Sequence, residues 1–432
     1  MDQFSTIFRI IWAIASGILK EFWWIILPVV LFGIFADLFK TYLKELKKKE
    51  LQPIYLELKF PEEASQKPLQ FMELFFSNIK NIKIAEDHNI SFEIVGIENR
   101  LKFFIRVPKK IKDLITISFY AQYPDVVLVE TKDYLSDLPP NIPNNEFSFW
   151  GKEFKYKKSG AFPVLTYDGF FNIKEKIKRG AINEANSYDP LSVLIELFNR
   201  MKTNDIVCLQ LIVRNFTDPE KAKWDFESKS LYSPLVGKEA PKVPEKLSKT
   251  LSKSWSTALN SLINPSTAPE PKKEEKVKLP TEVEKEAIKL IEGKINGANF
   301  ITGIRLAYIS PKKDFSDFIP NTFEMFLKQF NTSIANSFDE IKDPRPWYKN
   351  WVKFRDRFFP IVKHNLEHKM FDKTITRKKT EKGIIMGAKE LVSLFHFPFQ
   401  NVYISSVVME KNQKGAPPPN LPFINEDEQT DI

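Results

Sequence analysis

Apolar and polar side chains alternate from Ile54 to Phe60 (IYLELKF), the two-residue period of a strand with one buried face. An amphipathic helix is predicted over Leu69 to Ile82. Alternating segments follow over Ser91 to Ile97 and Leu101 to Val107, then a helix over Ile111 to Tyr123 and a strand over Val126 to Thr131. The short polar turn Glu98-Asn99-Arg100 suits a hairpin between the two central strands. The order β-α-β-β-α-β predicts a ferredoxin-like, split βαβ domain over residues 51–138, with two helices on one face of an antiparallel sheet.

A second α+β domain is expected over residues 145–238 and 281–410, after the Pro139-Pro140 break. It reads as a strand at Phe162 to Tyr167, a helix from Asp189-Pro190 through Met201, with Asp189 as N-cap, and a strand at Ile206 to Phe216. Residues 239–280 shift to Pro, Lys, Ser and Glu, the composition of a flexible linker. Beyond it come a helix at Thr281 to Ile295 with a Thr281/Glu284 capping box, a strand at Phe300 to Ile309, a helix at Asn321 to Phe330 and a closing strand at Val402 to Val408. This order predicts a second ferredoxin-like unit interrupted by the linker. The aromatic and basic segment Trp347 to Lys379 shows no clear period, and residues 411–432 form a Pro-rich and acidic tail.

The pattern changes character at the N-terminus. Phe22 to Ala36 (FWWIILPVVLFGIFA, with Pro28 inside it) carries no charge, and Leu38 and Phe39 bring it to about the length that crosses a bilayer. Trp23 and Trp24 stand at one end, and Lys40, Lys44, Lys47, Lys48 and Lys49 follow the other, so residues 1–50 are expected to be a single-pass anchor with its C-terminal bulk in the cytoplasm. The charge follows the apolar stretch and no small-residue cleavage site succeeds it, which favours a retained anchor over a signal peptide.

Composition narrows the chemistry. The chain has 432 residues, 38 Phe against 14 Gly, and one cysteine, Cys208, which fits a reducing compartment and reads as a small buried hydrophobe. A net charge of +9 suggests an anionic surface nearby, although Lys+Arg 64 against Asp+Glu 55 is mostly a mixed, solvated exterior. No G-x-x-x-x-G-K-[S/T], G-x-G-x-x-G after a strand, or G-x-S-x-G occurs. His364 and His368 in HNLEH can share a helix face, but no third ligand accompanies them, and His396 in LFHFP reads as a packed aromatic. No cofactor, metal or catalytic residue is expected.

The strings ISFEIVGIENRLKFFIRVPKK, ITISFYAQYPD, DPLSVLIELFNRMK, KELVSLFHFP and APPPNLPF together resemble an uncharacterised bacterial domain. That domain is similar to the membrane-anchored N-terminal region found before, or encoded beside, type IV secretion and conjugation coupling ATPases of candidate-phylum bacteria. The resemblance implies a non-catalytic subunit, tethered to the cytoplasmic membrane, that positions a separate P-loop ATPase of the coupling type. Membrane lipid would be its second partner, nucleic acid would be met through the complex, and its oligomeric state is open. His396, Phe397 and Pro398, with Pro417, Pro418, Pro419 and Leu421, are the candidate partner contacts. The rival reading is a membrane-associated module binding nucleic acid or anionic lipid through the basic segment Lys369 to Lys382.

Overall fold

The computed structural model describes residues 53–82, 89–170, 189–236, 282–341 and 360–398 except 379, 381 and 382, together with residues 35, 39 and 42. By compactness the chain divides into Met1–Pro53 with Pro108–Lys110, and Ile54–Val107 with Ile111–Ile432. In the first unit, Phe35, Phe39 and Tyr42 are helical, and the Phe35 and Phe39 rings stack 6.0 Å apart. Among the described residues no helix is long and apolar enough to cross a membrane. The expected anchor residues Trp23, Trp24, Pro28, Lys47, Lys48 and Lys49 lie outside them, as do the linker 239–280, the strand at 402–408, and Pro417, Pro418, Pro419 and Leu421.

The second unit is α+β, and its first half follows the sequence pattern closely. The elements are β1 (Pro53–Lys59), α1 (Glu62–Gln66), α2 (Gln70–Lys80), β2 (Ile90–Ile97), β3 (Arg100–Pro108), α3 (Lys112–Tyr120) and β4 (Val127–Thr131). The β2–β3 hairpin turns on Glu98 and Asn99, with φ of 54° and 57°. Two successive positive-φ residues are what a two-residue turn needs to match the right-handed twist of its strands. Helix α2 buries Met72, Phe75, Phe76 and Ile79, the i, i+3, i+4, i+7 stripe that the sequence predicts.

The next half departs further from expectation. It contains β5 (Phe147–Tyr156), α4 (Ser192–Asn199), β6 (Ile206–Arg214), α5 (Asp218–Leu235), α6 (Glu282–Asn296), β7 (Asn299–Pro311), α7 (Phe318–Lys328), β8 (Phe338–Glu340), α8 (Pro360–Thr376), β9 (Ile384–Gly387) and α9 (Ala388–Leu394). The strand expected at Phe162 to Tyr167 is absent. Its backbone forms no ladder, because its donors go to separate partners: Val164 N to Glu390 Oε1 (2.9 Å), Leu165 N to Phe330 O (2.9 Å) and Tyr167 N to Ser393 Oγ (2.8 Å). The strand that the domain needs is β5 instead. Helix α8 occupies part of the segment that showed no period.

The nine described strands join one sheet in the order β4-β1-β3-β2-β6-β7-β5-β8, with β9 on β7. Strands β2 and β6 pair antiparallel from Ile90↔Val213 to Ile97↔Ile206, so a continuous ladder crosses between the halves. Strand β5 pairs with β7 at Ile304 to Pro311 and β9 pairs at Asn299 to Thr302. Since β6 already occupies the other side of Ile301 to Ile309, β9 continues the row that β5 leaves.

Both faces of the sheet are covered, which explains why β2, β6 and β7 are buried almost end to end. Phe92, Ile94, Leu209, Leu211, Ile304 and Leu306 point into the larger core beneath the helices. Val95, Cys208, Ala307 and Ile309 point to the opposite face, into a smaller cluster that includes Phe371 of α8. Gly96 is required by this packing, because a Cβ there would stand 2.6 Å from Phe198 Cδ1.

Candidate functional site

Polar side chains interrupt the central strands in register. Glu93 of β2 lies opposite Gln210 of β6, Gln210 opposite Arg305 of β7, and Arg305 opposite Glu153 of β5. All four are buried on the face of the smaller cluster. A polar row with no partners above it would leave each group desolvated at a cost of about 1–3 kcal/mol, more for the charges. The partners are supplied by the C-terminal end of α8 and the residues that follow it.

The last carbonyls of a helix have no intrahelical donor. Here the sheet provides two donors and Arg377, just past the helix, a third: Arg305 Nη1 donates to Lys373 O (2.6 Å), Gln210 Nε2 to Thr374 O (3.2 Å) and Arg377 Nη1 to Ile375 O (2.8 Å). Cationic groups at this end of a helix are also favoured by its dipole. Glu153 then accepts from Arg305 Nη2 (2.6 Å), Lys373 Nζ (3.1 Å) and Thr380 Oγ1 (3.3 Å). Gly303 leaves room for this approach, since a Cβ there would run into Thr380 Oγ1.

Arg377 is the centre of the network. It follows α8 with φ of 48°, a left-handed position that commonly ends a helix and that glycine fills without strain. Its fully buried guanidinium donates to both oxygens of Glu93 (3.0 and 3.1 Å) and to both oxygens of Asp133 (2.5 and 2.9 Å). The rings of Tyr55 and Tyr134 lie on it, each centroid 5.1 Å from Cζ. Tyr134 also donates to Glu93 (2.6 Å). Burial pushes the Glu93 carboxyl up, but Arg377 outweighs it and holds the group below the usual carboxylate range. Glu153 is likewise lowered, burial being outweighed by Arg305 and Lys373. Burial raises the Tyr55 hydroxyl to about 12 and the Cys208 thiol to about 12.

Two further buried pairs fasten the C-terminal segment to the larger core. Glu390 of α9 meets Lys294 of α6 at 2.7 Å and accepts from Tyr156 Oη (2.8 Å), Val164 N (2.9 Å) and Gly387 N (2.7 Å). Burial lowers the Lys294 ammonium from its ordinary value. His396 sets Nε2 3.1 Å from Asp189 Oδ1 and Nδ1 2.8 Å from Val392 O. Asp189 Oδ1 also accepts from Leu191 N (2.7 Å), but α4 begins at Ser192 with Leu191 at its N-cap, two residues beyond the Asp189 cap that the sequence predicts.

The candidate contacts at the LFHFP motif therefore face inward. His396 is fully buried, and Phe397 stacks on Phe60 at 4.3 Å with the edges of Phe103 and Tyr123 against it. Pro398 completes the described chain. Part of the basic segment is also internal. Arg377 is buried and Lys373 is paired with Glu153, while Lys378 meets Asp372 (2.8 Å) at the surface.

A cavity of about 880 Å³ opens between residues 140–148 and α8, with Asn141, Asn144, Asn145, Lys312, His368 and Asp372 among its walls. Asn144 Oδ1 accepts from Glu146 N and Phe147 N, which holds the loop's own turn. Among the described residues no group of three His, Cys, Asp or Glu side chains is placed to hold a metal ion. Sequence reasoning did not find the buried network, although Glu93, Gln210 and Arg305 each stand alone in an apolar strand.

A family model described as "Domain of unknown function (DUF8128)" matches residues 75–407. The match takes in β2 through β9 and, apart from Tyr55, the buried polar groups described above. No curated protein matches the chain.

Proposed function

The chain belongs to the DUF8128 family, and from that premise we propose that it is a non-catalytic subunit, held at a membrane, that positions a separate coupling-type ATPase. The observation that carries this reading is the fate of its strongest charged groups. Glu93, Glu153, Glu390, Arg305, Arg377 and Lys294 are buried and paired with one another across the sheet and its helices. Such groups fasten elements together and are withdrawn from any substrate. The apolar stretch before β1 and the resemblance to the anchored region of coupling ATPases supply the membrane and the motor.

Strand order supports a finer reading of the fold. The first half runs β4-β1-β3-β2 and the second, read outward in, β8-β5-β7-β6. Each is the 4-1-3-2 order of a ferredoxin-like unit, and the two would then be fused through their β2 and β6 edges. Such a fused sheet is a broad, rigid platform whose mechanism is positional.

The rival reading, a nucleic-acid or lipid module using Lys369 to Lys382, loses Arg377 and Lys373 to interior pairs. Affinity purification from gently solubilised membranes decides between them. Recovery of a P-loop ATPase in constant proportion after a moderate salt wash is the expected result. Recovery of nucleic acid alone, lost as salt rises, would sink the proposal, because phosphate contacts weaken steeply with ionic strength.

A further inference from the structure

The sheet ends on β4, and among the described residues no strand pairs with its outer edge. The groups on that edge follow from the register. Leu128 N donates to Tyr120 Oη (3.2 Å) rather than to β1, and successive residues turn their backbone groups to opposite edges, so Glu130 faces outward as well. Tyr120 thus fills the Leu128 donor, while Leu128 O and the N–H and C=O of Glu130 line the edge. A parallel neighbour needs Leu128 O as acceptor and Glu130 N as donor, the groups that flank Val129, and leaves Leu128 N with Tyr120. An antiparallel neighbour exchanges both bonds with one residue and would displace Tyr120 at Leu128.

The chain itself supplies such a neighbour. Phe397 stacks on Phe60 at 4.3 Å and meets the Tyr123 ring at 5.4 Å. Phe60 follows Lys59, which pairs with Val127 at the start of β4, and Tyr123 lies just before that strand. The chain therefore leaves the described region at the start of β4. From Phe397 to Val402, where the alternating run VYISSVV begins, is a reach of about 17 Å. The slot outside β4 lies two strand spacings from β1, about 10 Å, whereas β8 is six spacings away, about 29 Å. The first is within reach and the second is not. Strand β8 also already lies on the outer edge of β5, where the sequence pattern would put a closing strand of the second half. Residues 402–408 carry no charge, and so Val- and Ile-rich a run left unpaired is an aggregation hazard. The family match continues through this run to residue 407.

We propose that Val402 to Val408 adds to the free edge of β4 as a parallel strand. Starting beside Val127, the run points the same way as β4, which is the direction that Tyr120 leaves open. An odd-numbered residue, Tyr403, Ser405 or Val407, stands opposite Val129. Val402, Ile404 and Val408 then turn to the face on which Leu128 packs against the larger core. The strand finishes at the Thr131 end of β4, so the tail with Pro417, Pro418, Pro419 and Leu421 departs from that end of the sheet. This placement holds whatever partner the tail meets.

The test is disulfide trapping in the full chain. Val129→Cys is combined in turn with Tyr403→Cys, Ile404→Cys, Ser405→Cys, Ser406→Cys and Val407→Cys, and the buried Cys208 stays out of the reaction. Opposite residues of adjacent strands stand about 5 Å apart, within disulfide range. Under mild oxidation, peptide mass spectrometry should find the best odd-numbered position linked within the chain roughly fivefold more than either even-numbered one. Equal yields at all five positions overturn the proposal. So does preferential trapping of Ser405→Cys by Asp339→Cys on β8, which would place the run at the opposite edge. A disulfide between two copies through Val129→Cys also overturns it, since β4 would then be an interface between chains. Hydrogen exchange gives a second reading without cysteines. The Glu130 amide should be protected in the parent and exchange about tenfold faster in Ser405→Pro, which removes a donor to β4, while the Ile94 amide of β2 keeps its rate. A Glu130 amide indifferent to Ser405→Pro overturns the proposal.

Discussion

At the scale of single residues, Arg377 carries the most. Removing one member of a buried ion pair costs about 3–5 kcal/mol, because the remaining charge is left without compensation. Arg377→Met strands both Glu93 and Asp133, and we expect a loss in that range by urea unfolding. Adding Glu93→Leu to Arg377→Met should recover part of the loss, since the two positions share one network. Acid should act on the same groups. The folded carboxyls of Glu93 and Glu153 titrate below the ordinary value of 4.5. Their contribution is therefore complete above that value and is lost as pH falls through the lower folded values. The urea midpoint should stay level from neutral pH to about 5 and then decline, and Glu153→Gln should flatten the decline. A midpoint that fell no more steeply in the parent than in the variant would refute the assignment.

At the scale of elements, capping chemistry gives a sharp expectation for α5. Thr217 and Glu220 form a capping box, with Thr217 N donating to Glu220 Oε2 at 3.0 Å, and Arg214 of β6 donates to both Glu220 oxygens. That arrangement lowers the Glu220 carboxyl to about 2. Thr217→Ala should cost about 1 kcal/mol and raise amide exchange in the first turn of α5 while β6 keeps its protection. The same helix shows where the sequence is hard to read. Its buried residues, Trp224, Ser228 and Ser230, make no apolar stripe, so period finds nothing. Strand β5 hides for the opposite reason. Phe147 and Phe149 pack on one face and Phe154 and Tyr156 on the other, which erases the alternation. The first half was legible because α2 has one buried stripe, Met72, Phe75, Phe76 and Ile79, and the β2–β3 hairpin has a polar two-residue turn. The buried site was partly legible: a charge at the centre of ITGIRLAYI or ISFEIVGI has to be paired if both faces are covered. Arg377 was not, because in sequence it belongs to the basic run Arg377 to Lys379, and only the helix end before it turns its side chain inward.

At the scale of the whole molecule, the seam between β2 and β6 decides how the halves behave. Eight residue pairs cross it, and the polar row that binds α8 spans both sides, from Glu93 in the first half to Arg305 and Glu153 in the second. The C-terminal segment crosses it too, since β9 extends the sheet at β7 while Phe395 and Phe397 fill the first half's core between Phe92, Phe103 and Tyr123. Neither half can expose its edge strand without breaking the ladder, the ion network and that aromatic cluster together. The described sheet should therefore unfold as one cooperative unit. We expect amides of β3 and β7 to exchange with the same free energy by native-state hydrogen exchange. A core truncation in one half, Phe92→Ala or Phe323→Ala at about 3–5 kcal/mol, should lower both by the same amount. Separate free energies, each moved only by the truncation in its own half, would mean that the seam is a contact between independent domains. The platform role we propose needs the first behaviour, because force applied to β4 reaches β8 only through a sheet that resists as a whole.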